Sequence, residues 1–230
     1  MSIRTDIAAE SFSQAGGAEK LQGVKVKNKV IENARLEVTD ITIETQEAAE
    51  KLGRPIGRYI TLTATDSTFD MYSDSFRERA EVIAKAIGEL CGECERFLAV
   101  GLGNYALTSD AVGPLTAEKI FATRHIKSLA KEIDTDDLGE VTVIQPGVLG
   151  NTGIESSEQV KAIAERVTPQ AIIAVDALAC SELSNLGRTI QLCNTGISPG
   201  SGVENARKEL SLSTLGVKCI AIGVPTVIDL

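Results

Sequence analysis

Residues 97–104 read Phe-Leu-Ala-Val-Gly-Leu-Gly-Asn, and this stretch decides the fold class. Four apolar residues without polar alternation make a strand buried on both faces, and the glycines at 101 and 103 close it in a tight loop. The same grammar repeats outward. Residues 141–144, 171–175, 190–193 and 219–222 are again short and apolar, rich in Val and Ile. Amphipathic helices fall between them. Ser75-Phe-Arg-Glu78 has the form of a capping box, and the helix it opens carries Phe76, Ala80, Ile83, Ala84, Ile87, Leu90 and Cys91 at spacings of three and four. Ser156-Ser-Glu-Gln159 opens another, with Val160, Ile163, Ala164 and Val167 as its stripe and Pro169 as its stop. Buried strands alternating with such helices predict an α/β fold: a three-layer α/β/α arrangement around a mostly parallel sheet.

Upstream of Asp66 the pattern differs. Residues 11–30 are polar, with Gly16, Gly17 and Gly23, and read as a loosely ordered arm. Residues 35–45 and 57–64 alternate apolar with polar, which predicts an N-terminal β-hairpin of half-exposed strands joined through residues 52–56.

The chain has 230 residues, 43% of them hydrophobic, enough for one sizeable core in a single α/β domain. Aromatics are 3% with no Trp, which argues against stacking platforms for single-stranded nucleic acid. The net charge of −9 repels phosphate backbones and anionic lipid, so neither nucleic acid nor membrane is expected as a direct partner. No apolar run reaches 18 residues, and residues 1–10 lack a signal peptide's apolar stretch. With five cysteines at no scaffold spacing, a cytoplasmic protein is expected.

A single histidine, His125, excludes three-His zinc sites and HExxH helices within this chain. If a helix runs over residues 114–126, His125 lies ~15 Å or more from its start, at the surface near the C-terminal end. Cys91-Gly-Glu-Cys94 closes a helix before a strand, the reverse of a thioredoxin-like motif, and reads as packing. No cofactor is called for. Gly101-Leu-Gly-Asn104 lacks the third glycine of a dinucleotide fingerprint, and the glycine-rich loop at 196–202 has no Lys-Ser/Thr after it.

In a parallel sheet, catalytic groups collect beyond the carboxyl ends of the strands. Two carboxylates meet that description: Asp110, after the strand at 97–100, and Asp176, after the strand at 171–175. Each also has an ordinary reading, Asp176 as a helix cap and Asp110 as a turn residue before Pro114. As a pair they would act together. Two carboxylates ~4 Å apart at an effective dielectric of ~20 repel by ~4 kcal/mol, so one holds a proton while the other takes one from water. That would activate a hydrolytic water with neither histidine nor metal.

Taken in order, the motifs resemble the germination protease family of endospore-forming bacteria. The likeness runs through Arg4-Thr-Asp-Ile-Ala-Ala-Glu10, Gly57-Arg-Tyr59, Gly101-Leu-Gly-Asn104 and Thr108-Ser-Asp-Ala-Val-Gly-Pro114. It continues through Val175-Asp-Ala-Leu-Ala179, Pro199-Gly-Ser-Gly202, Arg207-Lys-Glu-Leu210 and Ala221-Ile-Gly-Val-Pro-Thr-Val227. The resemblance implies an endopeptidase that starts the degradation of small acid-soluble spore proteins during germination, in the spore core. It implies a fold similar to hydrogenase-maturation peptidases and a homotetramer. The family's aspartate pair falls on Asp110 and Asp176. Asn104, Thr108 and backbone N–H groups near Gly200 and Gly202 are expected to orient substrate or stabilise an oxyanion. Members are zymogens that clip themselves at an acidic–apolar–Ala site, which Asp6-Ile7-Ala8 fits, making residues 1–6 a propeptide and residues 7–230 the single α/β peptidase domain. Members also continue past a segment like residues 223–230, so a C-terminal part of the family is expected to be absent here. Ser109 stands where the family pattern has Pro. Two other readings compete: a nickel-dependent maturation-type peptidase with Asp110 and Asp176 as metal ligands, and a catalytically silent α/β binding module.

Overall fold

The apolar run at 97–100 forms strand β4, Arg96–Gly101, as its sequence predicts. The computed structural model describes residues 5–17, 21–66, 69, 72–129, 135, 138–198 and 209–229. Its contacts cluster into two compact units, one of Met1–Leu90, Ala177–Thr195 and Ala221–Leu230, the other of Cys91–Asp176 and Gly196–Ile220.

In the first unit, helix α1 (Ala8–Gln14) is followed by strands β1 (Val24–Ile31) and β2 (Leu36–Ile43), which make an antiparallel hairpin from Val24↔Ile43 to Ile31↔Leu36. β1 lies in the residues expected to form a loose arm. Its Val24 and Val26 alternate with Lys25, Lys27 and Lys29, a polar edge-strand pattern, and Lys25 pairs with Glu44 at 2.6 Å. Helix α2 (Gln46–Leu52) joins β2 to strand β3 (Gly57–Ala64); Thr45 caps it by accepting from the Ala48 N–H, and left-handed Gly53 ends it. β3 pairs antiparallel with β2 and with β7 (Thr189–Cys193), and β7 pairs antiparallel with residues 221–223 of β8 (Lys218–Ile228). On β2 the buried positions shift from Leu36 and Val38 to Ile41 and Ile43, so this strand is covered on opposite faces at its two ends.

Helix α3 (Phe76–Cys91) buries only the later part of the expected stripe, with Leu90 and Cys91 buried and Ile83 and Ile87 half-buried. Arg79, Ala86, Leu90 and Cys91 are buried, whereas Phe76, Ala80 and Ala84 are exposed. The cause is electrostatic. Arg79 donates from Nε to the Ala34 carbonyl (3.0 Å), pairs with Asp66, and sits over the Phe69 ring. A guanidinium with all these partners can occupy a core position that hydrophobicity alone assigns elsewhere.

The second unit carries the parallel pairing. β4 lies between β5 (Glu140–Ile144) and the first half of β6 (Ala171–Cys180), in register from Arg96↔Glu140 and from Phe97↔Ala171. The expected mostly parallel sheet is thus realised as parallel ladders here and antiparallel ladders in the first unit. After the short helix α6 (Leu149–Thr152), helix α7 (Ser156–Val167) packs Val160 and Ala164 on Leu98, Val100, Ile172 and Ala174, as its stripe predicts. The expected helix over 114–126 is two helices, α4 (Val112–Lys119) and α5 (Arg124–Leu129). Between them buried Thr123 donates to the Gly139 carbonyl and accepts from the Val141 N–H (2.8 Å), which takes the backbone off the helical path. His125 is exposed in the first turn of α5, not at a helix C-terminal end.

Candidate active site

Asp110 and Asp176 both belong to the second unit: Asp176 follows the corner where the β4–β6 ladder ends, and Asp110 is bonded to the loop that leaves β4. The β4–β6 ladder ends at Gly101↔Val175. The next N–H, of Leu102, donates to the Val175 carbonyl at 2.8 Å. Asp176 follows Val175 directly and is 4% exposed. It does not stand beyond the strand or cap a helix. β6 runs on through it to Cys180, so its carboxylate projects from within a strand of Ala, Ile, Val and Leu.

Three glycines shape the loop that brings Asp110 to this corner. A Cβ on Gly101 would lie 2.3 Å from the Gly113 carbonyl oxygen, and one on Gly113 would lie 2.1 Å from the Leu102 oxygen and 2.4 Å from the Val175 oxygen. The start of α4 therefore sits directly on the ends of β4 and of the ladder half of β6. Gly103 has φ +111, and a Cβ there would meet the Asp110 carbonyl oxygen at 2.1 Å.

Asp110 closes a 3-10 turn, Thr108–Asp110. Its Oδ2 accepts from the Asn104 N–H at 2.8 Å, and its carbonyl oxygen accepts from the same N–H at 3.0 Å. Asn104 spends its side-chain oxygen on the Ala106 N–H (3.0 Å), an Asx turn that holds its own loop. Thr108 is exposed at the start of the turn. Gly200 and Gly202 lie outside the described residues; the base of their loop is fixed by reciprocal hydrogen bonds between Ile197 and Leu210. No group of three or more His, Cys, Asp or Glu able to hold a metal occurs among the described residues.

Asp6 and Ile7 are in the first unit, within a network that the sequence did not reveal. Ile7 is wholly buried. Asp6 donates its N–H to the Ala179 carbonyl (2.8 Å) and accepts at Oδ2 from the Ala179 N–H (2.9 Å). The Gln191 amide bridges across Ile7, donating to the Asp6 carbonyl (2.8 Å) and accepting from the Ala8 N–H (2.5 Å). Buried Glu10 accepts from Thr5, the N–H and hydroxyl of Ser181, the Glu182 N–H and the Asn185 amide. Burial pushes the Glu10 carboxyl up, but the hydrogen bonds from Ser181, Thr5 and Asn185 outweigh it and hold it below the ordinary glutamate value. Arg54 donates to the Thr5 carbonyl at 2.8 Å; burial lowers its pKa against the opposing pull of Tyr59, Asp6, Cys193 and Glu10. The one hint in the sequence was a glutamine set between Ile190 and Leu192 inside strand Thr189–Cys193.

A family model described as germination protease matches residues 4–230. The chain belongs to the germination protease family. The germination protease of Clostridium tetani is 42% identical over 235 residues, covering 100% of this chain and 71% of that protein. That of Clostridium perfringens (strain ATCC 13124) is 40% identical, covering 99% and 70%, and that of Caldanaerobacter subterraneus subsp. tengcongensis is 40% identical, covering 100% and 70%. Among solved structures, a NiFe hydrogenase maturation protease from Thermococcus kodakarensis matches 61% of this chain and 80% of its own, at 19% identity and a TM-score of 0.38. Such a loose match carries no argument about a germination protease. No helix among the described residues is long and apolar enough to cross a membrane.

Proposed function

We propose that this member of the germination protease family is an endopeptidase of spore germination in which Asp110 and Asp176 share one proton and activate water. Peptidase chemistry follows from family membership and from identities near 40% along the whole chain. The observation that carries the aspartate reading is Asp176 itself. A carboxylate 4% exposed inside an apolar strand is costly for folding, and a function that needs it there accounts for its retention. The tight loop of Gly101, Gly103 and Gly113 ties Asp110 to the same corner.

In this mechanism the ionised carboxylate takes a proton from water while the protonated one donates to the scissile carbonyl oxygen. The water oxygen bonds the carbonyl carbon, and collapse of the tetrahedral species breaks the C–N bond as the amine leaves with a proton. Asn104 acts by positioning, since its N–H fixes Asp110. Thr108 and the backbone near Gly200 and Gly202 are assigned to substrate orientation. The substrates are small acid-soluble spore proteins in the spore core, the working form is a homotetramer of residues 7 onward, and the segment 1–6 leaves by cleavage between Asp6 and Ile7.

Cleavage of a small acid-soluble spore protein by wild type, Asp110→Asn and Asp176→Asn tests the reading. Each substitution is expected to lower kcat by ~10² or more with the fold intact. Retained turnover in either variant removes the shared-proton mechanism.

A further inference from the structure

The Asp6–Ile7 bond is held on both sides. Its carbonyl oxygen accepts from Gln191 Nε2 (2.8 Å), and its N–H donates to Thr5 Oγ1 (3.0 Å). The flanking N–H groups, of Asp6 and Ala8, go to the Ala179 carbonyl and to Gln191 Oε1. The Ile7 side chain is wholly buried. Downstream, Glu10 fastens α1 to residues 181, 182 and 185, and Arg54 holds Thr5 and Ser11. A protease needs the carbonyl carbon exposed on one face and several flanking residues extended. None of this backbone can meet that condition while these bonds persist.

We infer that residues 5–11 form a strap that must detach from β6 and β7 before the Asp6–Ile7 bond can be cut, and that Gln191 and Glu10 set how often it detaches. The inference deepens the processing reading above and rests on it. Hydrolysis adds the oxygen of water to the Asp6 carbonyl carbon as a new carboxylate, breaks the C–N bond, and leaves both water protons on the Ile7 nitrogen, which departs as an ammonium. The observed rate is then the chemical rate multiplied by the fraction of molecules with the strap open. Gln191 suits this role because a single planar amide reaches over Ile7 and bonds the peptide groups before and after it. Glu10 suits it because five donors converge on one buried carboxylate, so the segment cannot lift without exposing them all together.

The test separates the strap from self-cleavage. The 230-residue Asp110→Asn chain, silent under the proposed mechanism, is treated with an endoproteinase that cuts after acidic residues, and mass spectrometry follows the product beginning at Ile7. The folded chain is expected to be cut there at least ~100-fold more slowly than a free peptide of the same sequence. Adding Gln191→Leu, or separately Glu10→Gln, is expected to speed that cut roughly tenfold or more. Hydrogen exchange of the Asp6 and Ala8 amides should accelerate in parallel, while that of the β4 amides stays unchanged. Equal rates for folded chain and peptide overturn the inference. So do unchanged rates in both variants, or β4 exchange accelerating along with the strap, which would mean global unfolding. Glu10→Gln keeps the side chain's shape and answers the question if Gln191→Leu does not fold. Whether the chain with both aspartates intact releases its own segment is read separately, and a negative there removes the processing reading without touching the endoproteinase result.

Discussion

The Asn104 N–H donates to Asp110 twice, to its carbonyl oxygen and to its carboxylate, so the position of that carboxylate is set by the backbone one residue after Gly103. Gly103→Ala should therefore harm catalysis through geometry. Its φ of +111 disfavours any side chain, and the new methyl would sit 2.1 Å from the Asp110 carbonyl. The expected cost is about 2–3 kcal/mol in stability, with kcat falling much more than KM rises. Gly153→Ala is the control, with φ +71 but nothing within 4 Å, and should cost ~1 kcal/mol with kcat unchanged. Thermal unfolding and steady-state kinetics on both variants check this. Equal losses would mean the loop does not position Asp110.

Glu10 gives the first unit a pH dependence of definite sign. Its pKa in the folded chain lies below the ordinary value of 4.5, so the unfolded chain binds a proton more readily. The resulting stability is present above the ordinary value and is lost as pH falls through the lowered one. Melting temperature should decline below about pH 4.5, more steeply in wild type than in Glu10→Gln, whose curve starts lower at neutral pH. Parallel curves for the two proteins would refute the assignment.

Arg79 illustrates a buried charge whose loss is more damaging than its presence. Replacing it by Met strips the Ala34 carbonyl of its donor and removes the buried partner of Asp66, for an expected loss of about 3–5 kcal/mol in urea unfolding. Lys should not rescue it, because a single ammonium cannot span both acceptors as the planar fork does. Arg77→Ala, at an exposed pair with Glu81 on the same helix, should change little. A mild Arg79→Met phenotype would show that Ala34 and Asp66 find water instead.

What was legible followed from local pattern. The run at 97–100 with its glycines gave β4 and the loop to Asp110, and the stripe of α7 was readable because Val160, Ile163, Ala164 and Val167 share one face with no charge among them. The burial of Arg79 at the start of α3 was hidden because a paired arginine behaves as a core residue only once Asp66 and Ala34 are in place. β1 was hidden by its three lysines, which suit an edge strand and a disordered arm equally well. Asp176 was readable as a candidate, but a charged residue at the end of an apolar run looks like a strand terminus, so the continuation to Cys180 was not. The strap at Asp6 and Ile7 rests on contacts such as Ala8 to Gln191, 183 residues apart, which no local window contains.

If Asp176 is retained for chemistry, it should be a liability for folding. Its neighbours along β6 include Val175 and Leu178, both nearly excluded from solvent, and a carboxylate among them is desolvated whatever partners it has. Asp176→Asn keeps the shape and can still donate or accept, yet carries no charge. It is expected to match wild type in stability or exceed it by ~1–2 kcal/mol while losing turnover, the pairing found where a site strains its own fold. Urea unfolding beside the cleavage assay checks both halves. A variant that loses ~2 kcal/mol or more would mark Asp176 as a structural anchor whose charge the fold requires, and the catalytic reading would then need support from Asp110 alone.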